Sequence, residues 1–143
     1  MKLVIYATAQ DTESAFYEAL EKSDLDTMMS VWADDDDIVC VHPGGVRSSG
    51  VAQVREAWRK IFANGQQLRF RLQHQQAITS ATLAVHSIYE EISIIGEKRT
   101  LPPVISTNIY LRTEHGWRMV VHHASTAPGA VESEPRRAPK VLH

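Results

Sequence analysis

The chain of 143 residues contains one cysteine, Cys40, and no apolar stretch of the roughly 20 residues that a membrane-spanning helix needs. A single cysteine excludes a disulfide within the chain and leaves no cysteine pair with which a zinc site could begin. The segment 3–9 imitates an export signal, but its apolar part is shorter than the roughly 7–15 residues of a true one. We therefore expect a cytoplasmic protein.

An excess of positive charge is also lacking. Fifteen Lys and Arg residues stand against 17 Asp and Glu residues, for a net charge of −2. Without a net positive charge, the attraction that dominates nucleic-acid affinity is missing. We predict no nucleic-acid partner and no membrane partner. The 43% hydrophobic and 22% charged residues are typical of one globular domain.

The first half of the chain has helical periodicity. The pattern predicts a helix over residues 12–23 with Asp11 or Thr12 as its N-cap, and a short second helix from residue 25 capped by Ser23 or Asp24. A third helix is predicted after the turn at residues 43–45, ending at residues 64–65.

After Gly65 the period of the apolar residues changes to two. Four strands are predicted, over residues 68–72, 83–95, 105–111 and 117–123, and a fifth over residues 38–42 between the second and third helices. Helices first and neighbouring antiparallel strands later indicate an α+β fold, in which three N-terminal helices pack on a strongly curved, mostly antiparallel sheet. We predict an N-terminal arm over residues 1–11, a domain over 12–127 and a tail over 128–143.

The order of these elements, with the local sequences Asp24-Leu25, Trp32 to Asp35 and His42-Pro43, resembles the nuclear transport factor 2-like superfamily in its SnoaL-like branch. The segment from Gly116 to Pro128 is similar to the end of the calcium/calmodulin-dependent protein kinase II association domain. The resemblance implies a cone-shaped half-barrel with a central pocket and assembly through the outer face of the sheet. We expect the tail to pack on a neighbouring subunit.

The resemblance also assigns residues. In the steroid isomerase branch, the positions of the general base, the oxyanion-binding tyrosine and the assisting acid correspond to His42, Phe16 and Asn108. Because Phe16 has no hydroxyl, steroid isomerisation is not expected, since one lost oxyanion donor costs about 2.7–4 kcal/mol. In the association domain, pocket arginines receive carboxylates. Asn108 stands at one of those positions, so that ligand preference is not expected here.

Strand periodicity extends this assignment. If Asn108 and Ser125 face the pocket, as the resemblance implies, the two-residue period brings Ser106, Tyr110 and His123 inward and sends His122 outward. The direction of His86 stays undecided between the pocket and the outer face of the sheet. Tyr89 and Glu91 have the opposite parity, so they lie on whichever face His86 does not. Cys40 and His42 share a strand face. The candidate catalytic residues are His42 and His123, and the candidate ligand-binding residues are Phe16, Trp32, Trp58, Ser106, Asn108, Tyr110 and Ser125.

A metal or cofactor is not expected. The run Asp34 to Asp37 lacks the glycine-punctuated spacing of a calcium loop, and the histidines form no H-x-H or H-x-x-x-H pair. Cys40 with His42 resembles a nucleophile and its base, yet a lone strand cysteine is usually a small buried hydrophobe.

Three functions follow from these residues. The first is a homodimeric domain that binds a small organic ligand in an apolar pocket. The second is an isomerase, dehydratase or cyclase that uses His42 as base and His123 or Tyr110 as acid. The third is a module that only oligomerises. The dimer contact is expected on the outer sheet face, where Ile105, Ile109 and Leu111 alternate with polar residues.

Overall fold

A computed structural model describes residues 3–128. It contains three helices and six strands: α1 Ala9–Lys22, α2 Leu25–Ser30, β1 Val39–Val41, β2 Arg47–Ser49, α3 Gly50–Ala63, β3 Leu68–Thr79, β4 Leu83–Ile94, β5 Val104–Thr113 and β6 Gly116–Thr126. The strands form one curved, open sheet in the order β2-β1-β6-β5-β4-β3, antiparallel except for the parallel β1–β6 pair. The predicted α+β class is confirmed.

Helix α1 begins three residues earlier than predicted. Thr8, not Asp11 or Thr12, is the N-cap, and its hydroxyl accepts a hydrogen bond from the backbone N–H of Asp11. Thr12 is buried instead and donates its hydroxyl to the carbonyl of Trp117 at 2.9 Å. The helix therefore rests directly on β6.

The other helix ends follow the sequence pattern. Asp24 caps α2 by accepting from the N–H of Thr27, and α3 ends at Asn64, before Gly65 with φ of +81°. Strand β2 is a difference from the prediction, which placed only a turn there. It pairs with β1 as a hairpin whose turn holds the N–H of Gly45 on the carbonyl of His42 at 2.8 Å.

The helices cover one face of the sheet, called the inner face below. The largest fully buried side chains there include Trp58, Tyr110, Phe16, Met28 and Ile88. No helix in the described part of the chain is long and apolar enough to cross a membrane. The tail predicted to pack on a neighbouring subunit lies, apart from Pro128, outside the described residues.

Two β-bulges change which residues face inward. In β6, Ile109 pairs with Val121 but Tyr110 pairs with Met119, so Val120 is the extra residue and the inner-face parity of β6 shifts there. In β3 the register shifts between Gln73 and Gln76, beside His74 with a positive φ of 53°. Strand parity cannot be extrapolated through either point.

Candidate functional site

One row of polar side chains crosses the inner face. Cys40 on β1 pairs with His122 on β6, His122 with Asn108 on β5, and Asn108 with His86 on β4. Directly paired residues project from the same face of a sheet. All four side chains are buried, which defines the centre of the candidate site.

Helix α1 places a carboxylate over one end of this row. Glu13 is 1% exposed, and its Oε2 accepts from the Tyr110 hydroxyl at 2.6 Å and faces His86 Nδ1 at 2.8 Å. Its Oε1 accepts from Gln75 Nε2 at 2.5 Å. Gln75 lies at the β3 bulge on an exposed part of the strand, and only its amide reaches inward to Glu13. Both oxygens of this buried carboxylate thus have hydrogen-bond donors, as burial requires.

A second buried carboxylate lies nearby on β4. Glu90 Oε2 accepts from the Tyr17 hydroxyl at 2.5 Å and from Ser106 Oγ at 2.8 Å. The Tyr17 oxygen in turn accepts from Asn108 Nδ2 at 3.1 Å. Burial raises the pKa of Glu90, and burial together with the charge of Glu90 raises the pKa of Tyr17 well above its ordinary value. Tyr17 therefore keeps its proton at neutral pH.

Asn108 joins Glu90, through Tyr17, to His122. Asn108 Oδ1 lies 2.6 Å from His122 Nδ1, and an amide oxygen can only accept, so Nδ1 carries the proton. Burial, and then the nearby His42, lower the pKa of His122 to about 3. The ring is therefore neutral at pH 7, and its Nε2 has a free lone pair.

Aromatic rings surround His122. Its centroid is 4.9 Å from that of Phe16, 6.0 Å from Trp58 and 6.2 Å from His42, and His42 meets Trp58 edge to face at 4.5 Å. The Trp58 Nε1–H is buried and has no hydrogen-bond partner within residues 3–128. A buried donor without an acceptor costs about 1–3 kcal/mol, so a bound molecule that accepts from Trp58 would recover that cost.

His42 forms the partly exposed end of this group. Its Nε2 lies 3.6 Å from Cys40 Sγ, which confirms that the two side chains share a face. Burial lowers the pKa of His42 to about 4 and raises the pKa of the Cys40 thiol to about 12. Cys40 is therefore a protonated thiol at neutral pH, not an activated nucleophile.

The structure brings together most of the residues singled out from the sequence. Six lie at the inner face in contact with this network: Phe16, His42, Trp58, Ser106, Asn108 and Tyr110. Trp32 is buried in the same core, but within the described residues its ring forms no aromatic pair with these side chains and its Nε1–H has no hydrogen-bond partner. His86, left open above, faces inward.

The placement of His123 and Ser125 on the inner face is wrong. Asn108 pairs directly with His122, and Ser106 with Ala124, so the even-numbered residues of β6 face inward beyond the bulge. His123 and Ser125 are exposed, while His122, expected outside, is 3% exposed. The expected parity of β6 rests on a resemblance at Ser125, and a one-residue difference in register moves every side chain to the other face of the sheet.

Four important residues were missed: Glu13, Tyr17, Gln75 and Glu90. Glu13 and Tyr17 do fall on the buried stripe of α1, three residues before and one after Phe16, and Glu90 alternates in phase with the buried Ile88 and Ile92. A carboxylate in phase with apolar neighbours was the available signal. Gln75 had none, because a bulge decides its direction.

The side chains of the described residues do not form a metal-binding group. Within residues 3–128, no three His, Cys, Asp or Glu side chains form a group that could hold a metal ion. The carboxylates of Asp34 to Asp37 lie on exposed residues, away from the inner face.

Comparisons with known proteins agree on the family. The SnoaL-like domain model matches residues 10–129. A Thiobacillus denitrificans protein provisionally assigned as a calcium/calmodulin-dependent protein kinase type II association domain is 36% identical, with a TM-score of 0.79, over 87% of this chain and 99% of its own. A provisionally assigned dehydratase of the NTF2-like family from Streptomyces avermitilis is 31% identical, with a TM-score of 0.74, over 82% and 92%.

A curated relative is more distant. F-box protein SKIP8 of Arabidopsis thaliana is 24% identical over 123 residues, which cover 84% of this chain and 51% of that protein. The chain therefore spans about half the length of this relative.

Proposed function

This chain belongs to the SnoaL-like domain family of the nuclear transport factor 2-like superfamily, and from the geometry of its inner face we propose that it binds a small organic molecule against Trp58, His122 and His42. The observation that carries the proposal is the buried Trp58 Nε1–H, a donor without an acceptor beside two neutral imidazoles. An apolar surround with a few fixed polar groups is the usual make-up of a small-molecule site.

The rest of the network supports binding by holding these groups rigid. Asn108 fixes the tautomer of His122, and Tyr17 and Glu90 in turn fix Asn108. Preorganised side chains lose little conformational entropy when a ligand arrives, which favours affinity.

The indole N–H signals of the three tryptophans test this proposal in ¹⁵N-labelled protein. We expect titration with small cyclic compounds, among them toluene, cyclohexanone and phenol, to shift the Trp58 signal saturably. Trp32 is the matched internal control, because its Nε1–H is also buried and unpartnered within the described residues but its ring forms no aromatic pair there with His42 or His122. Shifts confined to Trp32 and Trp117, or no saturable shift, would contradict binding at this site.

A proton-transfer enzyme of the isomerase, dehydratase or cyclase type is the second candidate. The buried carboxyl of Glu90 favours it, because burial raises the pKa of Glu90 and so favours the protonated form, which can act as a general acid. The 31% identical neighbour assigned as a dehydratase adds support. His42 is the candidate base, although its lowered pKa makes it a weak one.

Hydrogen exchange at carbon tests the enzymatic candidate. We expect the wild-type protein in D₂O to accelerate deuterium uptake at the α-carbons of cyclohexanone, and His42→Ala to lose that acceleration while remaining folded. Retained exchange in His42→Ala would remove His42 from the mechanism. His123→Ala, on the exposed face of β6, is the matched control and should exchange as the wild type does.

We also propose that the chain forms a homodimer through its outer sheet face. Five β-branched apolar residues lie in register there across neighbouring strands: Val39, Val121, Ile109, Val85 and Ile78. Ile78 is 76% exposed. A continuous apolar row on an otherwise solvated face is typical of a protein contact.

Light scattering tests the dimer. A dimer has a mass of about 32 kDa, twice the chain mass of 16.0 kDa. We expect Ile109→Lys, at the centre of the row, to give the monomer mass, and Glu97→Lys, in an exposed turn beyond β4, to leave the dimer unchanged. A wild-type mass of 16 kDa would exclude the dimer, and a mass well above 32 kDa would favour a larger association-domain-like assembly.

A further inference from the structure

We infer that the molecule bound at this site, whose existence rests on the proposed function, is uncharged and carries a hydroxyl group, and that the site rejects carboxylates. Three properties of the buried residues lead to this ligand class: the pattern of donors and acceptors, the spacing of the rings, and the sign of the interior charge.

The buried donor and acceptor at this site are best satisfied by a ligand group that both accepts and donates a hydrogen bond. Trp58 Nε1–H can only donate. His122 Nε2 can only accept, because Nδ1 holds the proton that it donates to Asn108. A hydroxyl accepts from the first and donates to the second, whereas a carbonyl or carboxylate oxygen satisfies Trp58 alone. The two rings therefore discriminate a hydroxyl from its oxidised counterparts.

The two rings lie close enough together to contact one ligand group. The centroids of Trp58 and His122 are 6.0 Å apart, within the range of ordinary aromatic contact. A small polar group that reaches the edge of one ring is therefore close to the other. Phe16, whose centroid is 4.9 Å from His122 and 5.6 Å from Trp58, provides an apolar contact for the carbon part of the ligand.

The interior charge disfavours an anion. Glu13 and Glu90 are both buried within the network, and the one Lys or Arg buried within residues 3–128 is Arg118. Its guanidinium binds the carbonyls of Trp117 and Val4 and lies over the Tyr6 ring, so it has no hydrogen bond to the network. A carboxylate placed here would be a buried anion without a cationic partner.

The histidines do not supply the missing positive charge. His86 directs its Nδ1 at Glu13 Oε2, so it is already engaged by a carboxylate. His42 and His122 are desolvated and close to each other, and their lowered pKa values keep both neutral at pH 7. This interior differs from one in which arginines receive a carboxylate.

Three substituted benzenes of nearly equal size test the inference at pH 7: phenol is neutral with a hydroxyl, benzoate is an anion, and toluene has neither. Each is titrated into the ¹⁵N-labelled protein while the Trp58 indole N–H signal is followed. We expect phenol to bind roughly tenfold or more tightly than benzoate and several-fold more tightly than toluene, as one well-placed hydrogen bond and one avoided buried charge imply.

Variants of His122 test the role of its Nε2. His122→Asn places an amide N–H where Nδ1 lies, so it can still donate to Asn108 but lacks the acceptor at Nε2. We expect it to bind phenol no better than toluene, while the matched His123→Asn, on the exposed face, retains the preference. If His122→Asn fails to fold, the comparison of the three compounds on the wild-type protein still decides the question.

The outcomes separate the inference from the proposed function. Benzoate binding as tightly as phenol, or toluene binding as tightly as phenol, would overturn the ligand class while leaving a binding site at Trp58. A Trp58 signal that none of the three compounds shifts would overturn both.

Discussion

Acid should destabilise this protein through His122, and the size of the effect follows from its burial. In the unfolded chain a histidine has a pKa of about 6.5, whereas in the folded protein burial lowers the pKa of His122 to about 3. Below pH 6.5 the unfolded state therefore binds a proton that the folded state refuses. Stability from the neutral ring is fully present above the unfolded pKa and is lost as the pH falls toward the folded one.

The expected magnitude is about 2 kcal/mol between pH 8 and pH 5, because 1.5 pH units below the unfolded pKa correspond to about 1.36 kcal/mol each. This figure depends little on the folded value, provided that His122 stays neutral at pH 5. His42, with a pKa of about 4, acts in the same direction, while the raised pKa of Glu90 acts in the opposite one. A variant is needed to isolate the His122 contribution.

The assay is urea unfolding followed by tryptophan fluorescence at pH 8, 7, 6 and 5. We expect the loss of unfolding free energy from pH 8 to pH 5 to be about 2 kcal/mol smaller in His122→Asn than in the wild type. His123→Asn, on the exposed face of the same strand, is the matched control that leaves His122 in place, and it should keep the loss seen in the wild type. Equal pH dependence in His122→Asn and the wild type would refute the reasoning.

Two further substitutions test the support of the site. Tyr17→Phe removes the donor to Glu90 and should cost about 1–3 kcal/mol of unfolding free energy, since buried polar partners are left unsatisfied; a loss under about 0.5 kcal/mol would contradict the network. Gly116→Ala should destabilise more than Gly65→Ala in thermal unfolding. Both glycines have a positive φ, a conformation that costs a residue with a side chain about 1–2 kcal/mol. Only at Gly116 would the added Cβ also meet backbone atoms of Tyr6, at 2.7 and 2.9 Å. Equal losses would show that this contact relaxes freely.

The helices and most strands were predictable because their signals are local. Asp24 begins α2 and Asn64 ends α3 through contacts with residues a few positions away. The two-residue period from Leu68 onward likewise indicates a half-buried strand. Strand β2 was missed because Arg47, Ser48 and Ser49 include no β-branched or aromatic residue, and the strand exists only through its pairing with β1.

The candidate site was only partly predictable for a related reason. Phe16, Trp58, Asn108 and Tyr110 were found because apolar periodicity and family resemblance both indicate the inner face. An acidic residue near the start of a helix is favoured by the helix dipole, which already explains Glu13 locally. Its hydrogen bonds come from Gln75, His86 and Tyr110, which lie 62 to 97 residues away along the chain.

The amino-acid sequence by itself determined the α+β class, the order of the elements and the presence of a histidine before Pro43, since each depends on neighbouring residues or on composition. The tertiary structure alone decided that His122, not His123, faces the network, because register across β5 and β6 and the bulge at Val120 select the inner face. It also decided that two buried glutamates each accept a hydrogen bond from a buried tyrosine. Hydrogen bonds between distant residues depend on packing, which no local pattern records.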